Sequence, residues 1–205
     1  MHSSVRYTLV FILGAMGLIV GLFVYRVINP PVPDNEKFLK YGYFAYPEAR
    51  KLNDITLTDH HGQPFDLSEL KGEQKTLVFF GFTTCPDVCP TTLSVLNQAL
   101  QKTEQTTRVI LITVDPERDT PERLANYVPA FNPAFIGLTG SFDAIVNIAT
   151  QLNVAFGKVP GEAPNTYTVD HSANIALLDE QGRYAGFFRM PHQAENITWV
   201  LNRLD

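Results

Sequence analysis

The sequence predicts an α/β domain, a central mixed sheet flanked by helices, preceded by one transmembrane helix. Three observations carry that prediction. From residue 77 onward, short runs rich in β-branched and aromatic residues alternate with segments of helical periodicity. Near the C-terminus, two such runs flank Asp179-Glu180-Gln181-Gly182, a hairpin turn, and a last helical segment follows them. At the other end, residues 7–28 are an apolar run whose single charge is Arg26.

Taken in order, residues 7–28 would span roughly 33 Å as a helix at about 1.5 Å per residue, enough to cross a bilayer core. The run is longer than a signal-peptide core. Val27-Ile28-Asn29-Pro30-Pro31-Val32-Pro33 also offers no small-x-small cleavage site, so an uncleaved anchor is expected, with residues 1–6 as its cytoplasmic tail. Residues 29–49 read as a linker. It opens with a Pro-rich, extended exit over residues 29–33 and contains the aromatic cluster Tyr41, Tyr43, Phe44 and Tyr46. Such a cluster packs on the domain or sits in the membrane interface. The folded domain is expected over residues 50–205.

Within it, residues 54–58 alternate as a strand, His60-His61-Gly62 makes a turn, and residues 64–67 return as a second strand. Residues 68–72 form a helical turn closed by Gly72. Strand 77–82 is followed by helix 91–102. Strand 108–114 is followed by helix 121–131, with Pro121 in its first turn, where a missing N–H costs nothing. A short strand at 135–138 precedes helix 141–152, which Ser141 can cap. Residues 153–170, broken by glycines and prolines, read as irregular. The hairpin 174–178 and 184–189 and the helix 193–204 close the chain. The order βαβ, then a hairpin, then a helix, is the thioredoxin plan.

Composition narrows the function. With 205 residues, 45% hydrophobic and 18% charged, the chain suits one compact domain and an appendage. Setting aside Arg6 and Arg26, fourteen basic residues face twenty-one acidic ones, a formal charge of −7. Nucleic acid, which demands a basic face, is excluded. The charges flanking the apolar run are too balanced to orient it, since Lys37 and Lys40 are mixed with Asp34 and Glu36. Thiol chemistry supplies the orientation. A cysteine domain has work outside the cytoplasm, so a bacterial inner membrane with the domain in the periplasm is expected.

The only two cysteines stand four apart, in Phe82-Thr83-Thr84-Cys85-Pro86-Asp87-Val88-Cys89-Pro90. They follow a strand and precede a helix, where α/β proteins place reactive groups. The helix N-terminus there favours thiolate over thiol. Positions i and i+4 of one helical turn lie roughly 6 Å apart on one face, so the two sulfurs can converge on one soft cation or approach disulfide geometry. Pro90 disfavours a regular helix through both, placing Cys85 in a loop and Cys89 at or just before the helix. Thiolates select Cu(I) or Zn(II). Structural zinc wants four protein ligands, whereas Cu(I) needs only a third donor. Among His2, His60, His61, His171 and His192, the expectation falls on His171, at the entrance of a buried strand facing the cysteines. His60 and His61 read as solvated turn residues, and His192 as a solvated helix end.

The segments 81–90, Val114-Asp115-Pro116-Glu117-Arg118-Asp119-Thr120-Pro121 and Val169-Asp170-His171-Ser172 together resemble the Sco/SenC family of membrane-anchored copper proteins for cytochrome c oxidase assembly. The resemblance implies a thioredoxin-like fold with copper held by Cys85, Cys89 and His171. It implies a metallochaperone, not an enzyme, that delivers Cu(I), with Cu(II) left open, to the binuclear copper centre of cytochrome c oxidase subunit II. Another periplasmic copper chaperone or a thiol reductant would be a further partner. Asp87 and Asp115 match family positions, as supports of the metal ligands or partner contacts on one reading and as cap or loop residues on the other. The rival function is a thiol–disulfide oxidoreductase that reduces the copper-site cysteines of that subunit. A thiol peroxidase fits the fold but has no use for His171 or a second cysteine at i+4.

Overall fold

The computed structural model describes residues 2–28, 35–72, 74–161 and 167–204. The chain divides into two units between Asp34 and Asn35. In its described residues the first is a helix, α1 (His2–Ile28). Its span Tyr7–Tyr25 has a mean hydropathy of 2.4 and buries nothing within the protein. In hydrocarbon such a helix satisfies every backbone polar group internally. The expected extended exit at residues 29–33 lies outside the described residues.

The second unit begins earlier than expected. Residues 35–49, assigned from sequence to a linker, contribute α2 (Asn35–Lys40) and most of β1 (Tyr43–Arg50) to the domain. Their aromatic residues supply the reason. Tyr43 is fully buried, and Tyr41 stacks on Trp199 with ring centroids 3.8 Å apart. Gly42, at φ +77, makes the turn between the two elements that a side chain would strain. Pro47 and a register shift between Ala45 and Arg50 interrupt the alternation that would have marked β1 as a strand.

Eight strands form one sheet in the order β1-β10-β9-β4-β5-β6-β2-β3. They are β2 (Thr56–Asp59), β3 (Pro64–Asp66), β4 (Lys75–Gly81), β5 (Thr107–Thr113), β6 (Ile136–Thr139), β9 (Ile175–Leu178) and β10 (Tyr184–Phe188), with β1 at one edge. The central β4, β5 and β6 are parallel, and every other pairing is antiparallel. All seven residues of β4 are buried, which explains its unbroken apolar run. Burying a side chain such as Leu77 or Phe79 is worth roughly 1.5–3 kcal/mol.

The flanking helices are α3 (Val88–Leu100), α4 (Pro121–Tyr127), α5 (Phe142–Gln151) and α6 (Ala194–Leu201). Ser141 caps α5 as expected, accepting from Ala144 N–H. Helix α4 stops short of its expected end. A 3-10 turn over Val128–Ala130 replaces its last turn, because Pro129 has no N–H to continue the ladder.

The stretch 153–170, expected to be irregular, instead holds an antiparallel hairpin. Strand β7 (Phe156–Pro160) pairs with β8 (Tyr167–His171), from Phe156 opposite His171 to Pro160 opposite Tyr167. Strand β7 is almost wholly exposed, whereas β8 buries Val169 and half-buries Tyr167 and His171 on the same face. With β7 lacking a buried face and β8 burying only one side chain, the hairpin leaves too short an alternation to read from the sequence. It carries His171 to the C-terminal end of β4.

Candidate metal centre

The β4–α3 connection presents both cysteines. Cys85 N–H donates to the Phe82 carbonyl at 3.2 Å, closing a tight turn. Helix α3 starts at Val88, so Cys89 and Pro90 both lie in its first turn, where proline's missing N–H is no loss. The backbone N–H of Cys89 donates to Cys85 Sγ at 3.4 Å. Cys85 is half-buried and Cys89 fully buried, and both are free thiols. Gly81 makes room for the inner sulfur: a Cβ there would stand 3.0 Å from Cys89 Sγ.

A buried carboxylate that sequence reasoning missed holds this loop. Asp119 accepts Thr83 N–H at 3.0 Å, the Thr83 hydroxyl at 2.5 Å and the Thr113 hydroxyl at 2.7 Å. One side chain thereby fastens the loop after β4 to the end of β5. Its only trace in the sequence is its place in the segment 114–121, and nothing local shows that it reaches Thr83, 36 residues away.

His171 ends β8, and its Nε2 lies 3.7 Å from Cys89 Sγ. Its Nδ1–H donates to the Ser172 carbonyl at 3.1 Å. That bond fixes the tautomer and leaves the Nε2 lone pair on the cysteine side. Burial lowers the pKa of His171, so the ring is neutral near pH 7, the state a metal needs. The rings of Phe79 and Phe82 meet it edge-on at 6.0 and 5.9 Å. A cavity of about 250 Å³ is lined by Phe82, Cys85, Asp170, His171 and Met190, among others.

The expectation of a thiolate favoured by the helix end fails for Cys89. Burial, then the hydrogen bond with Cys85, pushes its thiol well above the ordinary value. Taking an anion out of water outweighs the partial charge of a helix terminus here. Among the described residues, no group of three or more His, Cys, Asp and Glu side chains is already gathered as a metal site. The observed arrangement is thus two sulfurs joined through the Cys89 amide and one imidazole facing the inner sulfur.

The two aspartates differ. Asp87 is exposed at the N-cap of α3; its side chain makes no capping hydrogen bond and, among the described residues, accepts a long bond from the Thr91 hydroxyl at 3.4 Å. Asp115 is fully buried. It pairs with Arg118 and accepts the Tyr167 hydroxyl at 2.8 Å. Arg118 also donates to the Tyr167 carbonyl at 3.2 Å and stacks on its ring at 4.0 Å. Lys158, paired with Glu117 at 2.6 Å, covers the same ring at 4.6 Å. The hairpin that carries His171 is therefore clamped to the β5–α4 loop at its far end. Tyr167 and Arg118 were missed in the sequence because they act across some fifty residues.

Two other histidines correct their expectations. His60 is buried, its Nδ1 accepting Gly137 N–H at 3.0 Å. His192 is mostly buried, its Nε2–H donating to the Ala173 carbonyl at 2.8 Å. Neither is a solvated turn or helix-end residue. His61 is exposed, as expected of a turn.

The SCO1/SenC family model matches residues 46–204. The chain belongs to the SCO1/SenC family. Over 189 residues it is 35% identical to the SCO2-like protein of Rickettsia felis, covering 89% of this chain and 90% of that one. Among solved structures, Bradyrhizobium japonicum ScoI with copper bound superposes at a TM-score of 0.66 with 38% identity, over 74% of this chain and 97% of the other. Arabidopsis thaliana ScoI with copper bound gives 0.69 and 32%, over 74% and 95%. The thioredoxin-like fold is that of these structures, and the family comprises copper proteins linked to oxidase assembly rather than enzymes. With its apolar helix, this SCO1/SenC protein is a single-pass inner-membrane protein with a periplasmic domain.

Proposed function

We propose that Cys85, Cys89 and His171 hold copper, and that the domain is a metallochaperone delivering it to the binuclear copper centre of cytochrome c oxidase subunit II. The observation that carries this reading is the 3.7 Å approach of the unprotonated His171 Nε2 to Cys89 Sγ, with Cys85 Sγ resting on the Cys89 amide. Two soft sulfurs and one imidazole suit Cu(I), the valence carried in this reading. Copper is cargo, so delivery is ligand exchange. Each partner thiolate replaces one ligand, and the freed cysteine takes back a proton. The raised pKa of Cys89 favours that reprotonation and eases release. Residues 7–28 hold the domain at the membrane, with residues 1–6 on the cytoplasmic side.

The deciding experiment is His171→Ala. Copper binding by the reduced protein and copper loading of the oxidase should both collapse, while the dithiol still cycles. Equal copper stoichiometry in wild type and variant would remove His171 from the site.

A specific asymmetry supports a second reading as reductase of the subunit II cysteines. Cys85 is accessible and Cys89 is not, the arrangement of an attacking thiol and a resolving one. A His171→Ala protein that still reduces a subunit II disulfide at the wild-type rate, yet fails to metallate it, would separate the two roles.

A further inference from the structure

Met190 and His192 lie outside the ligand set, yet adjoin it. Met190 is 52% exposed, and its soft thioether is open to a ligand. Its side chain lines two neighbouring cavities. One, of about 250 Å³, also contains Cys85 and His171. The other, of about 190 Å³, contains His192, Asp87 and Thr91. The His192 ring is held by its Nε2–H, which leaves Nδ1 with the lone pair. That nitrogen is buried and has no hydrogen-bond partner among the described residues. Unpartnered buried polar atoms are rare and call for an explanation. A thioether and a neutral imidazole are both donors that Cu(I) accepts without losing a proton first.

We propose that Met190 and His192 form an accessory Cu(I) docking point, from which the ion passes to Cys85, Cys89 and His171. This rests on the reading of those three residues as the copper centre. Neutral donors hold Cu(I) more weakly than thiolates do, so transfer runs toward the cysteines. Copper stays Cu(I) throughout and no electron moves. A bond from Cys85 Sγ forms as the bond to Met190 Sδ or His192 Nδ1 breaks, and the thiol proton leaves to water. Met190 lines both cavities and is the residue through which the ion would pass from one to the other.

The test uses the full-length protein in detergent with Ag(I), a redox-silent stand-in for Cu(I), and reads the methionine methyl resonances. The chain has three methionines, and Met190→Leu identifies the signal at issue. In Cys85→Ser/Cys89→Ser protein, one silver ion should bind weakly and shift the Met190 methyl. Met190→Leu or His192→Gln in that background should weaken it at least about tenfold. Leucine keeps the volume of a half-exposed side chain, and glutamine keeps a donor for Ala173. With both cysteines present, Met190→Leu should slow Cu(I) uptake from a chelator about tenfold. A Met190 methyl that stays unmoved in the cysteine-free protein, while wild type binds silver tightly, would overturn the docking point alone. Equal silver affinity with and without the cysteines would remove the main centre and the relay with it.

Discussion

The Tyr167 hydroxyl donates to buried Asp115 at 2.8 Å, and that bond ties the strand bearing His171 to the loop that follows β5. Tyr167 and His171 are the two ends of β8, a strand with little burial of its own to hold it. The placement of the imidazole therefore depends on contacts made four residues away.

Tyr167→Phe should loosen that placement without touching a sulfur. Copper affinity should fall about tenfold, the scale on which supports of metal ligands act, while thermal stability drops by no more than roughly 1 kcal/mol. Competition against a Cu(I) chelator measures the first and urea unfolding the second. An unchanged affinity with a lowered stability would make the clamp purely structural.

Asp119→Ala should be the more damaging change to the fold. It strips an acceptor from Thr83 N–H and from two hydroxyls. Leaving such buried donors unsatisfied costs about 1–3 kcal/mol each, and the β4–α3 loop should lose order. Amide exchange of Thr83 and Cys85 reads the loop directly. Exchange as slow as in wild type would show that the carboxylate is dispensable.

Acid should destabilise the apo protein through its buried imidazoles. Burial lowers the pKa of His60 and of His192. The unfolded chain then binds more protons than the folded one below the ordinary value. Stability is full above about pH 6.5 and declines as the pH falls past it, until the folded-state values are passed. His60→Gln keeps an acceptor for Gly137 N–H that does not titrate. The loss in urea midpoint between pH 7.5 and 5.5 should shrink in that variant; an identical loss would exonerate His60.

Oxidation should abolish tight copper binding, because the two sulfurs proposed to hold the ion are the only cysteine sulfurs in the chain. A disulfide removes the charge and lone pairs that bind a soft ion. Cu(I) titration of the fully oxidised protein, with free thiols counted in parallel, checks this. Bound Cu(I) should in turn protect Cys85 and Cys89 from alkylation. Tight one-to-one binding while the disulfide persists would place the site elsewhere.

How much of this was legible in the sequence follows from what is local. Strand β4 announced itself because seven successive residues are buried on a central strand, and α5 because Ser141 caps it. The membrane span and the Cys85–Cys89 spacing are equally properties of consecutive residues. The β7–β8 hairpin was illegible because exposed β7 has no buried face to imprint a period of two, and β8 buries only Val169. Strand β1 was masked by Pro47 and a shifted register.

By itself the sequence determined the order of most elements, the apolar anchor and the pair of sulfurs. Each follows from spacing along the chain, where covalent geometry does the positioning. The sequence also pointed to His171 beside the cysteines, and the structure puts its Nε2 3.7 Å from Cys89 Sγ. Only the tertiary structure decided that Asp119 fastens the cysteine loop, that Tyr167 grips Asp115, and that burial raises rather than lowers the Cys89 pKa. Those outcomes depend on which distant side chains exclude water from one another, and desolvation is a property of packing that no local pattern encodes.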